Sequence, residues 1–317
     1  MAVAGWGAYL NYGYEDLATY GTEASGLAET FGYDTDFSVD FDNQSIRLPV
    51  LNSQDYAAQV AGGFKGTWSL TATMADAYFL AAVIGDAADA GATPYTHTYT
   101  YDNTCRSMSI AYGVDLSTDS LRTLLGAVPT KCTINANIGE PITYSMDGFY
   151  KTETEGTSLG SAVAVTEQPF TFAQASLEAP NATSISNVQN VEITVNRTPV
   201  ELPVLNSRFN SGRYFGQRYV DVKVTMPFED ASTFLEKAYG SATGPNATVA
   251  EVASTELTIT NGLTNSDQRS LVILLGNLMS DTHSTGAKPN ELITEDVTLT
   301  ARTLTSVIYS NNEASSP

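Results

Sequence analysis

The hexapeptide Leu-Pro-Val-Leu-Asn-Ser occurs twice in this chain of 317 residues, at positions 48–53 and again at positions 202–207. The second copy follows the first by 154 residues, which is close to half of the chain. Solenoid and propeller repeats have periods of roughly 20–50 residues, so this period is too long for either architecture. It has the length of a whole domain. The sequence therefore predicts two tandem copies of one fold.

The similarity between the halves extends beyond the hexapeptides. Before each copy, apolar and polar residues alternate with a period of two, as in a half-buried strand. The apolar positions superpose in the two halves: Phe37 on Val191, Val39 on Ile193, and Phe41 on Val195. Both halves later carry the pattern Ser-Leu-x-x-Leu-Leu-Gly, at residues 120–126 and 270–276. Because these features keep the same order, we interpret them as an internal duplication.

The predicted fold is mainly β, with two tandem β-sandwich or barrel domains and one helix flanking each. Alternation and abundant Thr, Tyr, Val and Ile predict the strands. In the first half they span residues 5–14, 36–42, 64–72, 95–101, 106–114, 129–137 and 142–151. Apolar residues at helical spacing predict a helix over residues 74–84, followed by Gly85 as its stop. Its counterpart is predicted over residues 227–239, with Pro227 in the first turn and Gly240 as the stop.

A polar stretch without clear periodicity marks the predicted boundary between the domains. The first domain is predicted at residues 1–152, the linker at 153–168, and the second domain at 169–311. Residues 312–317 are predicted to form a flexible tail.

The charge of the chain argues against nucleic-acid binding. Asp and Glu total 35 and Lys and Arg total 15, which gives a net charge of −20. Proteins that grip nucleic acid need clustered cations to displace phosphate counterions. The acidity fits adaptation to high salt, as in a halophilic host, and it also fits a surface that DNA must pass without sticking. The two explanations are compatible.

The sequence offers no catalytic centre, metal site or cofactor site, so we expect no enzyme. The two histidines are isolated: His97 lies in a strand-like alternation, and His283 in a segment that we interpret as a polar loop. There is no Gly-rich phosphate loop and no nucleophile elbow. Cys105 and Cys132 are too few for a disulfide framework and are expected to be buried thiols. The longest apolar run is too short to span a membrane, and no secretory signal is expected from the N-terminal residues.

Five short motifs, in order along the chain, resemble one protein family. They are Tyr-Glu-Asp-Leu-Ala-Thr-Tyr-Gly-Thr at 14–22, Gly-Phe-Lys-Gly-Thr-Trp-Ser-Leu at 63–70, Tyr-Thr-His-Thr-Tyr at 95–99, Asn-Ala-Asn-Ile-Gly-Glu-Pro-Ile at 135–142, and Pro-Phe-Thr-Phe-Ala at 169–173. Together with the duplication, they resemble the major tail tube proteins of long-tailed, siphovirus-like viruses. The resemblance is to the form that carries two tail-tube folds in one chain.

The resemblance implies a structural protein of the virion tail, made in the host cytoplasm. Such proteins polymerise into stacked rings that form a conduit for viral DNA during ejection. A duplicated chain would form a ring from three subunits with pseudo-sixfold symmetry, and inner strands of neighbouring domains would pair into a continuous barrel. The implied partners are further copies of the chain and the tape measure, tail terminator and distal tail proteins. No membrane and no cofactor are implied.

Two sets of residues become candidate functional sites under this resemblance. Carboxylates and their neighbours on the polar side of the strands before the hexapeptides would face the lumen, although an ordinary solvated sheet face explains them equally well. The lumen candidates are Asp36, Asp40, Asp42 and Glu192. The segments after the hexapeptides would contact the next ring or subunit, where arginine suits bidentate binding to carboxylates. These candidates are Asp55, Tyr56, Lys65, Arg208, Phe209, Arg213, Tyr214 and Arg218.

Two other classes of protein remain open at this point. A distal-tail or baseplate hub protein could use the same duplicated fold, and it would be expected to carry extra domains and to form isolated rings. An acidic β-rich surface or binding module, such as a carbohydrate-binding one, would instead show an aromatic patch on one face and stay monomeric.

Overall fold

The computed structural model of the protein describes residues 7–101, 106–179, 182–200, 202–212, 214–229, 234–241, 243–249, 251–264 and 267–316. In the first half the strands are β1 (Ala8–Tyr14), β2 (Tyr33–Asp42), β3 (Ile46–Pro49), β4 (Tyr56–Val60), β5 (Lys65–Thr73), β6 (Ala87–Gly91), β7 (Tyr95–Tyr99), β8 (Met108–Val114), β9 (Ser120–Asn137), β10 (Thr143–Tyr150) and β11 (Thr152–Gly156). In the second half they are β12 (Ala175–Glu178), β13 (Ser184–Ile185), β14 (Asn190–Val200), β15 (Tyr214–Pro227), β16 (Val252–Thr260), β17 (Ser270–Gly286) and β18 (Thr294–Asn311). Every strand predicted in the first half overlaps an observed one, and the mainly β fold is confirmed.

The two helices are confirmed in position but are much shorter than predicted. Helix α1 spans Leu80–Val83 and helix α2 spans Leu235–Tyr239. The predicted start near Met74 is wrong because its backbone bonds to two other segments, donating to Ile142 and accepting from Phe170. The predicted start at Pro227 is wrong because this residue ends β15, opposite Thr294. Residues 230–233 of that prediction lie outside the described residues.

The strand order of the sheet repeats the duplication. In the first half, the hydrogen-bonded order is β2-β5-β10-β9-β8-β1. In the second half, the order is β14-β15-β18-β17-β16-β12, with every neighbouring pair antiparallel as in the first half. Each strand of one series therefore has a counterpart at the same place in the other. A repeated sequence has produced a repeated topology.

One seam joins the two series into a single antiparallel sheet. The long strand β9 pairs with β8 through its first part and with β14 through its second part, where Thr133 lies opposite Thr194. The apolar side chains at the seam are buried: Cys132, Ile134, Val191, Ile193 and Val195. The halves therefore share one core, as expected where apolar area is removed from water on both sides of a joint.

A strand of the first half also enters the sheet of the second. Strand β7 pairs with β18, with His97 opposite Tyr309. The buried His97 ring bonds through Nδ1 to Asp89 and through Nε2 to Asn311, both at 2.8 Å. His97 thus has the structural role predicted for it, because both ring nitrogens are used to fasten β7.

The other histidine and the cysteines also have structural surroundings. His283 was predicted in a polar loop, which is wrong: it lies in β17 with Nε2 2.7 Å from the buried carboxylate of Glu295. Cys132 is a buried free thiol, and burial raises its pKa to about 12. Cys105 lies outside the described residues.

The segment predicted as a linker is in contact with the first half. It begins with β11, which pairs with β9. Further on, the fully buried Phe170 donates its N–H to the Met74 carbonyl and accepts from the Ile142 N–H. The chain then enters β12, which pairs with β16 of the second half.

The buried carboxylate of Glu15 fastens the first loop to the sheet. Its oxygens accept hydrogen bonds from the backbone N–H groups of Gly21 and Gly126 at 2.8 and 2.6 Å. They also accept from the hydroxyls of Ser107 and Ser109 at 2.6 and 3.1 Å. Glu15 and Gly21 belong to the first motif of the resemblance, so the motif has a physical basis: a carboxylate that satisfies four donors in the interior.

Replacing Glu15 with Ala is expected to lower the free energy of unfolding by about 3–5 kcal/mol, because several buried donors lose a charged acceptor. Urea denaturation of the purified protein measures the change. Glu23→Ala, at an exposed position in the same loop, is the matched control and should change stability by less than about 0.5 kcal/mol. Equal unfolding midpoints for the two variants would contradict this account of Glu15.

Candidate functional site

One face of the sheet is polar across strands from both halves. Along β5, β10, β14, β15, β18 and the second part of β9, buried apolar residues alternate with exposed or half-buried polar ones. At the edges, β2 continues the alternation with apolar residues that are half-buried or exposed, and the last part of β17 is mostly polar. Because successive side chains of a strand point to opposite faces, the apolar set packs into the core and the polar set shares one surface. We call this surface the polar face.

Side chains on the polar face bond to one another across the strands. The hydroxyls of Ser38 and Ser69 are 2.8 Å apart, and those of Thr133 and Thr194 are 3.0 Å apart. Asn190 Nδ2 donates to Asn135 Oδ1 at 3.1 Å. The serine pair and the threonine pair each lie directly opposite in the register of their strands, whereas Asn190 and Asn135 are diagonal neighbours; both arrangements bring side chains close enough to stabilise a sheet.

Carboxylates outnumber amines on the polar face. The acidic residues are Asp36, Asp40, Asp42, Asp147, Glu192, Asp221 and Asp296, and the lysines are Lys65, Lys131 and Lys223. Lys223 Nζ lies 2.7 Å from Glu192 Oε1, and Thr225 donates to Asp296 at 2.7 Å. The face is therefore rich in hydroxyls and net acidic.

All four carboxylates named from the sequence lie on this face, but sequence reasoning missed three others. Asp147, Asp221 and Asp296 occupy polar positions of β10, β15 and β18. The alternation in those strands was a signal of a two-faced strand. It did not show that the strands are neighbours of β2 and β14, because that depends on the pairing of distant segments.

The hexapeptides form matching turns at one end of the sheet. Asn52 and Asn206 both adopt the left-handed conformation, with φ of 68° and 71°. This conformation is one that Asn tolerates better than most residues with side chains. The preceding leucines point into solvent, with Leu51 89% and Leu205 100% exposed. The repeat therefore preserves the turn and an apolar residue at its tip.

The segments after the two hexapeptides touch each other within the chain. Arg208 donates to the Asn43 side chain at 2.6 Å and to the Gly62 carbonyl at 3.0 Å. The Phe64 N–H donates to the Arg208 carbonyl at 2.8 Å, and the rings of Phe64 and Phe209 meet edge to face. Arg208 and Phe209 thus fasten the second loop to the first.

Three of the other loop candidates lie in strands of the large sheet. Lys65 begins β5 opposite Asp42, and Tyr214 begins β15. Arg218 is further along β15, with its guanidinium 4.0 Å from the centre of the Tyr101 ring, and burial lowers its pKa. The prediction that Arg218 sits in a loop is wrong, because the strand after the second hexapeptide begins earlier than expected. Reversing its charge would disturb packing within the chain.

The remaining candidates are in or near the hairpin β3–β4 that carries the first hexapeptide. Asp55 lies in the connection, where its N–H donates to the Ser53 hydroxyl at 3.0 Å. Tyr56 begins β4 and is exposed, with Arg47 over its ring. Arg213 lies outside the described residues.

An acidic cavity of about 600 Å³ lies between residues of both halves. Its charged lining residues are Glu29, Asp76, Glu167, Asp267, Arg269 and Glu313. Burial raises the pKa of Asp76 to about 7, and burial together with Glu313 and Glu167 raises that of Glu29. Arg269 donates to the Ala75 carbonyl at 2.8 Å. In the described ranges, no group of three or more His, Cys, Asp or Glu is placed to hold a metal ion.

Comparison with protein families assigns the chain to a known family. A family model described as phage tail tube protein matches residues 5–301. The chain belongs to the phage tail tube protein family. Its role is therefore structural, as a component of the virion tail, and the tail-tube resemblance of the sequence is confirmed. Among curated proteins, none matches the chain.

The match spans both halves of this tail tube protein in one continuous range. The matched range therefore includes β9 and β14, which form the seam, and strands of both series. The hub and the surface-module alternatives are not favoured. In the described part of the chain, no helix is long and apolar enough to cross a membrane.

The raised pKa of Asp76 predicts a pH-dependent contribution to stability. The folded-state pKa, about 7, lies above the ordinary 3.8, so the folded state holds the proton more tightly. The protonated form of Asp76 therefore favours the folded state. Its contribution to the free energy of unfolding is fully present below about pH 4 and is lost as the pH rises through 7. Asp76→Asn keeps an acceptor for the Tyr78 N–H. In urea denaturation at pH 8, the free energy of unfolding of this variant should exceed that of the unmodified protein by about 2 kcal/mol.

At pH 4 the two proteins should be nearly equal in stability, because Asp76 is then neutral. The exposed Asp115→Asn is the control and should show no such divergence between pH 4 and pH 8. A constant difference between Asp76→Asn and the unmodified protein across this range would contradict the assignment.

Proposed function

We propose that three copies of this tail tube protein form a ring whose polar faces line a lumen, and that such rings stack into a tube for viral DNA. The observation that carries the proposal is the continuous antiparallel sheet, with four strands of each half on one polar face. Open sheet edges invite pairing with other chains, and closure into a barrel removes them. A division into domains at residues 1–152 and 169–311 remains part of this proposal.

The chemistry of the polar face suits a conduit for DNA. Its carboxylates repel phosphate, and its Ser, Thr and Asn side chains are engaged with one another across the strands. Cations on this face would hold DNA by displacing its counterions. Each of the three lysines faces a carboxylate: Lys223 lies 2.7 Å from Glu192, and Lys65 and Lys131 lie opposite Asp42 and Asp147 in the strand register. DNA would therefore pass without binding.

The two ends of the sheet suit head-to-tail stacking. At one end, the exposed Leu51 and Leu205 occupy the tips of the hexapeptide turns. At the other end is an apolar pocket of about 260 Å³ whose lining includes Ile138, Phe172 and Leu257. We propose that the leucine tips of one ring contact this end of the next. The proposed docking of arginine on an acidic neighbour then rests on Arg213, since Arg208 is engaged within the chain.

A tube of finite length needs further partners at its ends and during assembly. Distal tail and terminator proteins would cap its two ends, and a tape measure protein would occupy the lumen during assembly. The protein would be synthesised in the host cytoplasm and would assemble there with these partners into the virion tail.

Negative-stain electron microscopy of the purified protein tests the proposal directly. Stacked rings of uniform bore with pseudo-sixfold symmetry are expected. Isolated rings that do not stack would favour a hub, and dispersed monomers at high protein concentration would contradict both.

Leu205→Asp is expected to shorten tubes or abolish them while leaving the monomer folded, because the side chain is fully exposed before assembly. The free energy of unfolding, measured by urea denaturation, should change by less than about 0.5 kcal/mol. Leu17→Asp, at an exposed leucine outside both hexapeptide loops, is the control and should leave tube length unchanged. Tubes of normal length from Leu205→Asp would remove this residue from the ring-to-ring contact.

A further inference from the structure

We propose that neighbouring subunits are joined by a copy of the seam that joins the two halves within the chain. In this seam, β2 of one subunit pairs antiparallel with the last part of β17 of the next, in a defined register. The inference rests on the proposed ring and adds to it the strands, the residues and the register of the contact. The partner is a second copy of this chain.

The seam within the chain is the template. There β14 pairs with the last part of β9, and the register places Thr194 opposite Thr133 and Asn190 opposite Asn137. The duplication makes β2 the counterpart of β14 and β17 the counterpart of β9. The sheet therefore contains this seam once, and it also holds one unpaired copy of each contributing strand.

The two counterpart strands have open edges. Strand β2 pairs with β5 on one side, and among the described strands no other pairs with it. The last part of β17 pairs with β18 alone, because β16 accompanies β17 only as far as Leu278. In the same way, β8 accompanies β9 only as far as Ala127, and β14 then takes its place.

Burial at equivalent positions shows what the open edges lack. Val195 of the internal seam is 8% exposed, whereas its counterpart Phe41 in β2 is 52% exposed. Ile134 is buried, whereas its counterpart Thr285 in β17 is exposed. Strand β17 also ends at Gly286, two residues before the counterpart of the end of β9. Pairing with β2 would cover Phe41 and extend β17 by these residues.

The register follows from the repeat. The hexapeptides set an offset of 154 between β2 and β14. Met146 lies opposite Leu70 and Cys132, while Val297 lies opposite Val224 and His283, which sets an offset of 151 between β9 and β17. Transfer of the internal register to the open edges gives four pairs on the polar face: Asp36 with Lys288, Ser38 with Gly286, Asp40 with Ser284, and Asp42 with Thr282.

The transferred register is chemically consistent. It brings a carboxylate opposite an amine at Asp36 and Lys288 and places no like charges opposite each other. Lys288 is exposed in the single chain, where its amine lies 3.3 Å from Glu291. A register shifted by one residue would turn the apolar Phe37, Val39 and Phe41 to the polar face, so such slippage is disfavoured.

Cross-linking tests the register. In the double variant Asp40→Cys, Ser284→Cys, the two cysteines of adjacent subunits should lie about 4.5–5.5 Å apart between Cα atoms, within the range that a disulfide spans. Oxidised rings should then migrate as covalent trimers in non-reducing electrophoresis. The matched control Asp36→Cys, Thr282→Cys places the cysteines six residues out of register, about 20 Å apart, and should stay monomeric. Each single variant controls for pairing with Cys132 or Cys105.

Charge exchange provides a second measurement that needs no disulfide. Asp36→Lys or Lys288→Asp alone should lower the association constant of each seam about fivefold. The fraction of protein in rings should fall accordingly. The combination of both changes should restore it. Failure of the combination to recover ring formation would overturn the assigned pair.

The outcomes separate this inference from the function beneath it. Suppose that rings form normally. If the mismatched cysteines then cross-link, or the matched cysteines do not, the proposed seam is wrong while the proposed ring still stands. Absence of rings from the unmodified protein would overturn the proposed function and the seam together.

Discussion

The backbone pairing of β9 with β14 is the contact on which the rest of the structure depends. It converts two repeated series of strands into one sheet and aligns their polar residues on one face. Beneath it, Cys132 and Ile134 of one half lie in the same buried cluster as Ile193 and Val195 of the other. Hydrogen bonds and apolar burial act at the same joint, so the halves cannot separate without exposing both backbone groups and core.

The polar face keeps a common architecture while its charges differ between the halves. In β2 the polar positions are Asp36, Ser38, Asp40 and Asp42, whereas in β14 they are Asn190, Glu192, Thr194 and Asn196. Lys223 pairs with Glu192, so the middle of the face is less acidic than the β2 edge. A ring of three such chains would alternate strongly and weakly acidic sectors around its bore. Phosphates near the wall would then meet repulsion without a row of cations to hold them.

The fold was predictable where local periodicity determines structure. Alternation of apolar and polar residues identified β2, β5 and β10, and the repeated hexapeptide identified the duplication. The helix boundaries were not predictable, because Met74 and Pro227 bond to residues far away in sequence. The position of Arg218 in a strand beside Tyr101 likewise depends on contacts between distant segments. For the candidate site, the acidic residues of β2 were found from the sequence, whereas Asp221 and Asp296 required knowledge of which strands are neighbours.

Duplication with later divergence explains why one seam is internal and its copies are open. A seam within one chain forms at high effective concentration and does not lose the translational freedom of a separate partner. Its residues can therefore be apolar, as Cys132 and Val195 are. An exposed apolar edge pairs indiscriminately. Of the two open edges, β2 exposes Phe41, whereas β17 is polar. The positions on β17 that match Cys132 and Ile134 are accordingly His283 and Thr285. Fusion of two units thus allows a strong joint inside the chain and, in the proposed ring, weaker and more selective joints between chains, which would limit premature aggregation.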